Sequence, residues 1–193
     1  MSNFYFPKYK VSLIHIPKTA GWSIKTSGVL GPVSGAHFGV MPEQPYRFAF
    51  AIIRNPYARL ASAWRMFYEG RSFCPRYKSS FKKFITITLD KNIPYDYVSS
   101  GRGLMTQIRH HTIPMTHPYN CLDKADHVGR FEELESFWGF ISNKCGITAK
   151  LPHKNKSKPY DYMSLYDTTD LRRVNTFFEK DFNDLKYEFQ INT

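Results

Sequence analysis

The sequence predicts an α/β fold, with a central parallel sheet flanked by helices, and three features point to it. Two apolar segments, Lys10 to Ile16 and Tyr46 to Ile53, leave no face for solvent, the pattern of strands buried on both sides. Each runs straight into a turn or a helix start, Pro17-Lys18-Thr19 after the first and Arg54-Asn55-Pro56 after the second. Strand-like and helix-like patterns then alternate along the chain, the order that builds a parallel sheet from crossover units. The 193 residues are read as one domain, 1–193, whose 42% hydrophobic and 17% aromatic content supplies a sizeable core.

After the first strand a helix is predicted from about Gly21 to Val29, with Gly28 and Gly31 near its end, then a short strand over Val33 to Phe38. The second strong strand stops at Arg54; Asn55 is a good N-cap and Pro56 suits the first helical position. Leu60, Ala61, Trp64, Phe67 and Tyr68 fall at helical spacing up to Gly70, and Ser80 to Leu89 carries Phe81, Phe84, Ile85, Thr88 and Leu89 in the same way. Asp90 to Lys124, rich in Gly, Pro, His and Tyr, has no clean period and reads as loops with one short helix. Ala125 to Val128 reads as a strand leading into Gly129-Arg130. A helix follows from Glu132, with Phe131, Leu134, Phe137, Trp138 and Ile141 on one face and Gly146 just beyond its end. Leu151 to Tyr160 is a basic loop, and Leu171 to Leu185 a last helix.

Twenty-seven Lys and Arg against sixteen Asp and Glu give a formal charge of +11, which favours anionic partners: nucleotides, polyanionic glycans, nucleic acid or an acidic membrane surface. A generally basic, soluble surface is the bland alternative. No run approaches the length of a transmembrane helix and no secretory signal opens the chain, so a soluble, cytoplasmic protein is expected as given. Cys74, Cys121 and Cys145 match no zinc spacing; reduced thiols are the expectation, a Cys74–Cys121 bridge stays an alternative, and no metal site is proposed.

Ligands of parallel sheets sit beyond the carboxyl ends of the strands, and two of these ends carry anion-binding chemistry. Thr19 to Ser23 can offer backbone N–H groups and hydroxyls at a helix start, with Lys18 as a mobile charge. The segment has the strand, turn and helix layout of a phosphate loop but lacks the G-x-x-x-x-G-K-[ST] pattern. Arg54 can fork onto a phosphate, and Ser62 lies two turns into the following helix. Either cation alone could be structural. Together they suggest a ligand with two separated phosphates.

HIPKTAGWS, RNPY-x-RL-x-S over Arg54 to Ser62, VGRFE over Val128 to Glu132, LPHKNKS and Glu179-Lys180-Asp181-Phe182 resemble, in order, the motifs of carbohydrate sulfotransferases. The resemblance is to the heparan 2-O- and chondroitin/dermatan-type branch, from about residue 11 to 190. It implies a single-domain P-loop-like fold and a donor, 3′-phosphoadenosine 5′-phosphosulfate (PAPS), used without a metal. It places the 5′-phosphosulfate on Lys18, Thr19, Ala20, Gly21, Trp22 and Ser23 and the 3′-phosphate on Arg54 and Ser62. It also makes Asn155, Lys156, Ser157 and Lys158 a segment closing over the nucleotide. The family often has Thr or a small residue at Trp22, which either stacks on a ligand or packs in the core. Lys18 would stabilise charge on the bridging oxygen.

Seven histidines compete to accept the acceptor's proton. His15 lies within a strand and is expected in the core; His127 reads as a strand end; His153 belongs to the basic loop. His110, His111 and His117 could touch an anionic acceptor. His37, in GAHFGV, stands where the resembling enzymes place a catalytic histidine and is the expected base. The function expected is sulfuryl transfer to a hydroxyl acceptor, a glycan, with nucleic acid not expected as partner. The alternatives are an atypical P-loop kinase, which would need magnesium, and a non-enzymatic binder of polyanion or nucleic acid, which would show steep salt dependence without nucleotide affinity.

Overall fold

A computed structural model of the chain describes residues 3–35, 39–70, 77–96, 103–148, 150–151 and 161–191. The chain divides into two compact units, Met1–Arg54 with Met115–Lys158, and Asn55–Pro114 with Pro159–Thr193.

The first unit holds a five-stranded sheet built from β1 (Phe4–Phe6), β2 (Val11–Ile14), β3 (Ser34–Gly35), β4 (Phe48–Ile53) and β5 (His127–Arg130), in the order β3-β1-β2-β4-β5. β2, β4 and β5 are parallel, as the apolar runs predict. The other side of the sheet differs: β1 is antiparallel to both β2 and β3, so the sheet is mixed and not parallel throughout. The reason is the connection. Only Pro7 to Lys10 separates β1 from β2, closed by Tyr9 N–H to the Phe6 carbonyl and Lys10 N–H to the Pro7 carbonyl, both 3.2 Å. A parallel crossover needs a dozen residues or more.

Helices α1 (Gly21–Ser27) and α5 (Leu134–Cys145) supply the core of this unit. Ile24 of α1 and Trp138, Ile141 and Cys145 of α5 join Phe4, Phe6, Val11, Leu13, Phe48, Phe50 and Ile52 of the strands, all buried. α5 approaches β5 closely because Gly129 has no side chain. A Cβ there would stand 2.0 Å from the Phe137 ring. The helix ends on Gly146 in the left-handed region (φ 66°), as its position after the apolar stripe predicts. Its start differs slightly from the expectation, with a 3-10 turn over Phe131–Glu133 before the α-helix.

The second unit is helical: α2 (Pro56–Glu69), α3 (Phe81–Leu89), α4 (Leu104–Thr112), α6 (Thr168–Phe177) and α7 (Glu179–Leu185). The Asn55 side chain accepts from Tyr57 N–H at 3.0 Å and Ala58 N–H at 3.3 Å, so the Asn-Pro signal is used as a cap. The single helix expected over Leu171 to Leu185 is two. The first starts earlier, because Asp167 caps it by accepting from Asp170 N–H at 2.7 Å, and the break falls at Phe178 (φ −102°, ψ 18°).

Buried arginines wire this unit together. Arg59, fully buried on α2, donates to the carbonyls of His111, Thr112 and Ile113 at the end of α4, the shortest at 2.6 Å. Arg109 of α4 in turn donates to the carbonyls of Thr88, at the end of α3, and Ile93. Each guanidinium meets carbonyls that a helix end leaves without a partner inside the helix, at the negative end of its dipole. Burial lowers the pKa of Arg109, yet as an arginine it remains a cation. Cys121 and Cys145 are free, buried thiols whose pKa values burial pushes up; Cys74 lies outside the described residues. Among the described residues no helix is long and apolar enough to cross a membrane.

Candidate functional site

The parallel register aligns Ile14 with Ala51 and Ile53 with Arg130, so β2, β4 and β5 deliver their carboxyl ends side by side. Each end is followed by, or closes on, a basic residue: Lys18, Arg54 and Arg130. The loop after β2 is bent sharply. Lys18 (φ 71°) and Ala20 (φ 74°) both occupy the left-handed region, which costs a non-glycine residue on the order of 1–2 kcal/mol. Thr19 between them is buried and gives its hydroxyl proton to the Ile16 carbonyl at 2.9 Å. Thr19 therefore serves the shape of the loop with its hydroxyl and can offer a ligand only its backbone N–H as a donor.

α1 begins at Gly21, with Ala20 at the N-cap making no side-chain cap. Gly21 is required by packing, since a Cβ would meet His15 Cδ2 at 2.2 Å. His15 is buried, its ring also 5.1 Å from that of Phe4, the core placement expected for it. Trp22, next in the helix, is 47% exposed, so it does not pack in the core. Ser23 follows, half-buried.

Arg54 ties the first loop to the second strand end. Its Nη1 donates to the Lys18 carbonyl at 3.2 Å, its guanidinium carbon stands 4.1 Å from the centre of the Phe131 ring, and its backbone N–H reaches Met115 Sδ at 3.5 Å. A planar cation stacked on a ring and bonded at one edge is held in orientation. Ser62 is half-buried on α2, in the second unit. Arg130, half-buried at the end of β5, was not singled out from the sequence as a site residue. The signal was present: like Arg54, it is an arginine where a predicted strand gives way to a helix.

Four further histidines have defined roles in packing or capping. His110 and His111 are buried on α4 and donate from Nδ1 to the carbonyls of Tyr95 (3.1 Å) and Gln107 (2.8 Å). His127 meets the rings of Phe48 and Phe140 at 5.4 and 5.0 Å. His117 Nδ1 accepts from Tyr119 N–H at 3.2 Å, capping a 3-10 turn over Pro118–Asn120. His37, His153 and Asn155, Lys156, Ser157 and Lys158 lie outside the described residues. Among the described residues no group of His, Cys, Asp and Glu could hold a metal ion.

Adjacent parallel strand ends carrying basic residues, one followed by a tight loop and a helix, define an α/β protein with positive charge gathered at one end of its parallel strands. The profile of the sulfotransferase family matches residues 41–188, and the chain belongs to that family. The match begins after the Lys18 loop, which it does not include. Carbohydrate sulfotransferase 10 of Xenopus laevis is 27% identical over 172 residues, a span covering 73% of this chain and 47% of that protein. The chain thus spans about half the length of this curated relative. No solved structure matches.

Proposed function

We propose that the protein transfers the sulfuryl group of PAPS to a hydroxyl of a carbohydrate. The observation that carries this reading is the bond from Arg54 Nη1 to the Lys18 carbonyl, which couples the two basic strand ends at 3.2 Å. A donor with a phosphosulfate at one end and a 3′-phosphate at the other matches that pair of ends, and the strand–loop–helix unit of β2 and α1 supports a P-loop-like reading. Lys18 to Ser23 hold the phosphosulfate, and Arg54 and Ser62 the 3′-phosphate. Asn155, Lys156, Ser157 and Lys158 are proposed as further nucleotide contacts on the family resemblance alone.

In the step proposed, the acceptor oxygen attacks sulfur in line while the bond from sulfur to the bridging oxygen breaks. Lys18 stabilises the charge that builds on that oxygen, and His37 accepts the hydroxyl proton. The products are a sulfate ester and 3′-phosphoadenosine 5′-phosphate (PAP). The name of the Xenopus relative supports a carbohydrate as acceptor.

The test is transfer of labelled sulfate from PAPS across a panel of glycans and small alcohols, with calorimetry of PAP and AMP beside it. Transfer to at least one glycan and a clear preference for PAP are expected. Equal affinity for the two nucleotides, with no transfer to any acceptor, would overturn the reading.

A further inference from the structure

β5 stands at one end of the strand order, so no described strand pairs with its outer edge. Such an edge offers N–H and C=O groups to another strand, and proteins commonly blunt it with lysine or proline. β5 has neither, and its Val128 is 46% exposed. Four residues pair weakly by themselves, but α5 adds a second surface beside them. Phe140 on that helix is 45% exposed, its ring 5.0 Å from that of His127 and 6.2 Å from that of Phe137. Lys144 lays its Nζ 5.4 Å from the centre of the Phe140 ring and 5.6 Å from that of Phe48, so the ammonium is held at the same rim.

We propose that this edge is the interface of a symmetric dimer, in which β5 of a second copy pairs antiparallel with β5 and Val128 lies on the two-fold axis. Charge complementarity selects both the partner and the register. Rotation about Val128 sets Asp126 opposite Arg130 of the second copy, and the reverse, so an opposite-charge cross-strand pair forms twice. The Asp126 carboxylate is already oriented, since it accepts from Ala49 N–H at 2.7 Å.

The same axis, perpendicular to the sheet, keeps the two α5 helices on one face, side by side and antiparallel. Gly129 lies against Phe137 and His127 against Phe140, so the axis crosses α5 midway between those two rings. Lys144 follows that midpoint by as many residues as Glu133 precedes it, and both are exposed. Each lysine is therefore brought level with Glu133 of the second copy, while the Phe137 and Phe140 rings of both copies gather at the centre. A foreign strand would use the backbone edge without satisfying this charge pattern. The proposal is independent of the donor reading, and its test contains no nucleotide.

The test is sedimentation equilibrium of the full chain between about 1 and 300 µM. The mass should rise with concentration towards twice the 22.6 kDa of one chain. Val128→Lys sets two lysines against each other on the axis and should leave a monomer with the circular dichroism of the parent. Lys144→Glu and Glu133→Lys each create two like-charge contacts and should each weaken the dimer about tenfold. The double variant restores opposite charges and should recover the parent affinity. An equal mixture of the two single variants should do the same as a heterodimer, a rescue that damage to the fold would not give.

A monomer at every concentration would overturn the proposal. So would a dimer that neither Val128→Lys nor the charge reversals weaken, since another face would then hold it. Growth beyond two copies would rule out the closed two-fold arrangement.

Discussion

The guanidinium of Arg54 holds the backbone of Lys18: its Nη1 donates to the Lys18 carbonyl at 3.2 Å while its plane lies over Phe131. Lys18 is in the left-handed region, and the carbonyl that Arg54 grips belongs to that strained residue. One side chain at the end of β4 thus fixes the loop at the end of β2. A change at position 54 should be felt at both of the proposed anion sites.

PAP should bind more tightly than AMP by at least about 30-fold, since losing a charge-assisted, partly buried contact costs roughly 2–5 kcal/mol. Arg54→Ala should erase most of that preference, and Ser62→Ala should reduce it less. Arg54→Lys separates charge from shape: it keeps the cation but loses the fork and the stack on Phe131, so most of the preference should go there too. Calorimetry in which Arg54→Lys retains the parent preference would show that charge alone is used.

Lys18 can be tested in two ways because its backbone and its ammonium have separable roles. Lys18→Ala should lower kcat by about 10²–10³ and donor affinity much less, if the ammonium acts chiefly in the transition state. Lys18→Gly should show the same loss of turnover, yet its melting temperature should equal or exceed the parent's, because glycine adopts φ 71° without strain. Unchanged kcat with a raised KM in both variants would leave Lys18 with a binding role only.

Gly129→Ala should destabilise the first unit, because the added methyl would lie 2.0 Å from the Phe137 ring. Overpacking of this kind costs about 1–3 kcal/mol. Phe137→Ala removes the obstacle, so the double variant should be less destabilised than the sum of the two singles. Urea unfolding of the four proteins measures this coupling; strict additivity would mean that α5 moves aside.

Two aspartates at the start of α6 should give stability opposite dependences on pH. A hydrogen bond from Lys82 holds the Asp167 carboxyl below the usual range, aided by Asp170 N–H. Its contribution is present above the ordinary aspartate pKa and fades as pH falls through the lowered one. Burial, reinforced by the Asp167 charge, pushes Asp170 up. The folded state then holds that proton more tightly than the unfolded chain does, so this term favours folding below the raised pKa and becomes a penalty as pH rises through it. Melting temperatures between about pH 3 and 7 should therefore show Asp170→Asn gaining on the parent as pH rises. Asp167→Asn should lose ground over the same rise. Parallel curves for parent and both variants would remove the assignment.

Those parts of the fold that were legible share one property: the local signal and the tertiary demand agree. β2 and β4 are buried at every position and apolar but for Ser12, and Asn55-Pro56 is a cap both in sequence and in space. The one short helix expected within Asp90 to Lys124 is α4, and its place was hidden for the opposite reason. Its core-facing side includes Arg109, His110 and His111, which are buried by bonding to carbonyls, so no apolar stripe marks the helix. β1 is three residues long, too short to carry a period, and its pairing depends on a turn ahead of β2. At the candidate site, Lys18 and Arg54 are proposed from the sequence because each follows a strong strand. The Thr19 hydroxyl bond, the left-handed backbone on either side of it and the exposure of Trp22 depend on loop geometry, which residue types do not specify.

The short hairpin at the start of the chain has a consequence for handling the protein. With β1 in place, β2 is an interior strand; without it, Val11 to Ile14 would become the rim of the sheet. An apolar rim with open N–H and C=O groups invites pairing between molecules. Trimming the first ten residues touches none of the residues proposed to hold the donor, yet it should turn a monodisperse preparation into one that aggregates. In the intact sheet β1 covers that rim.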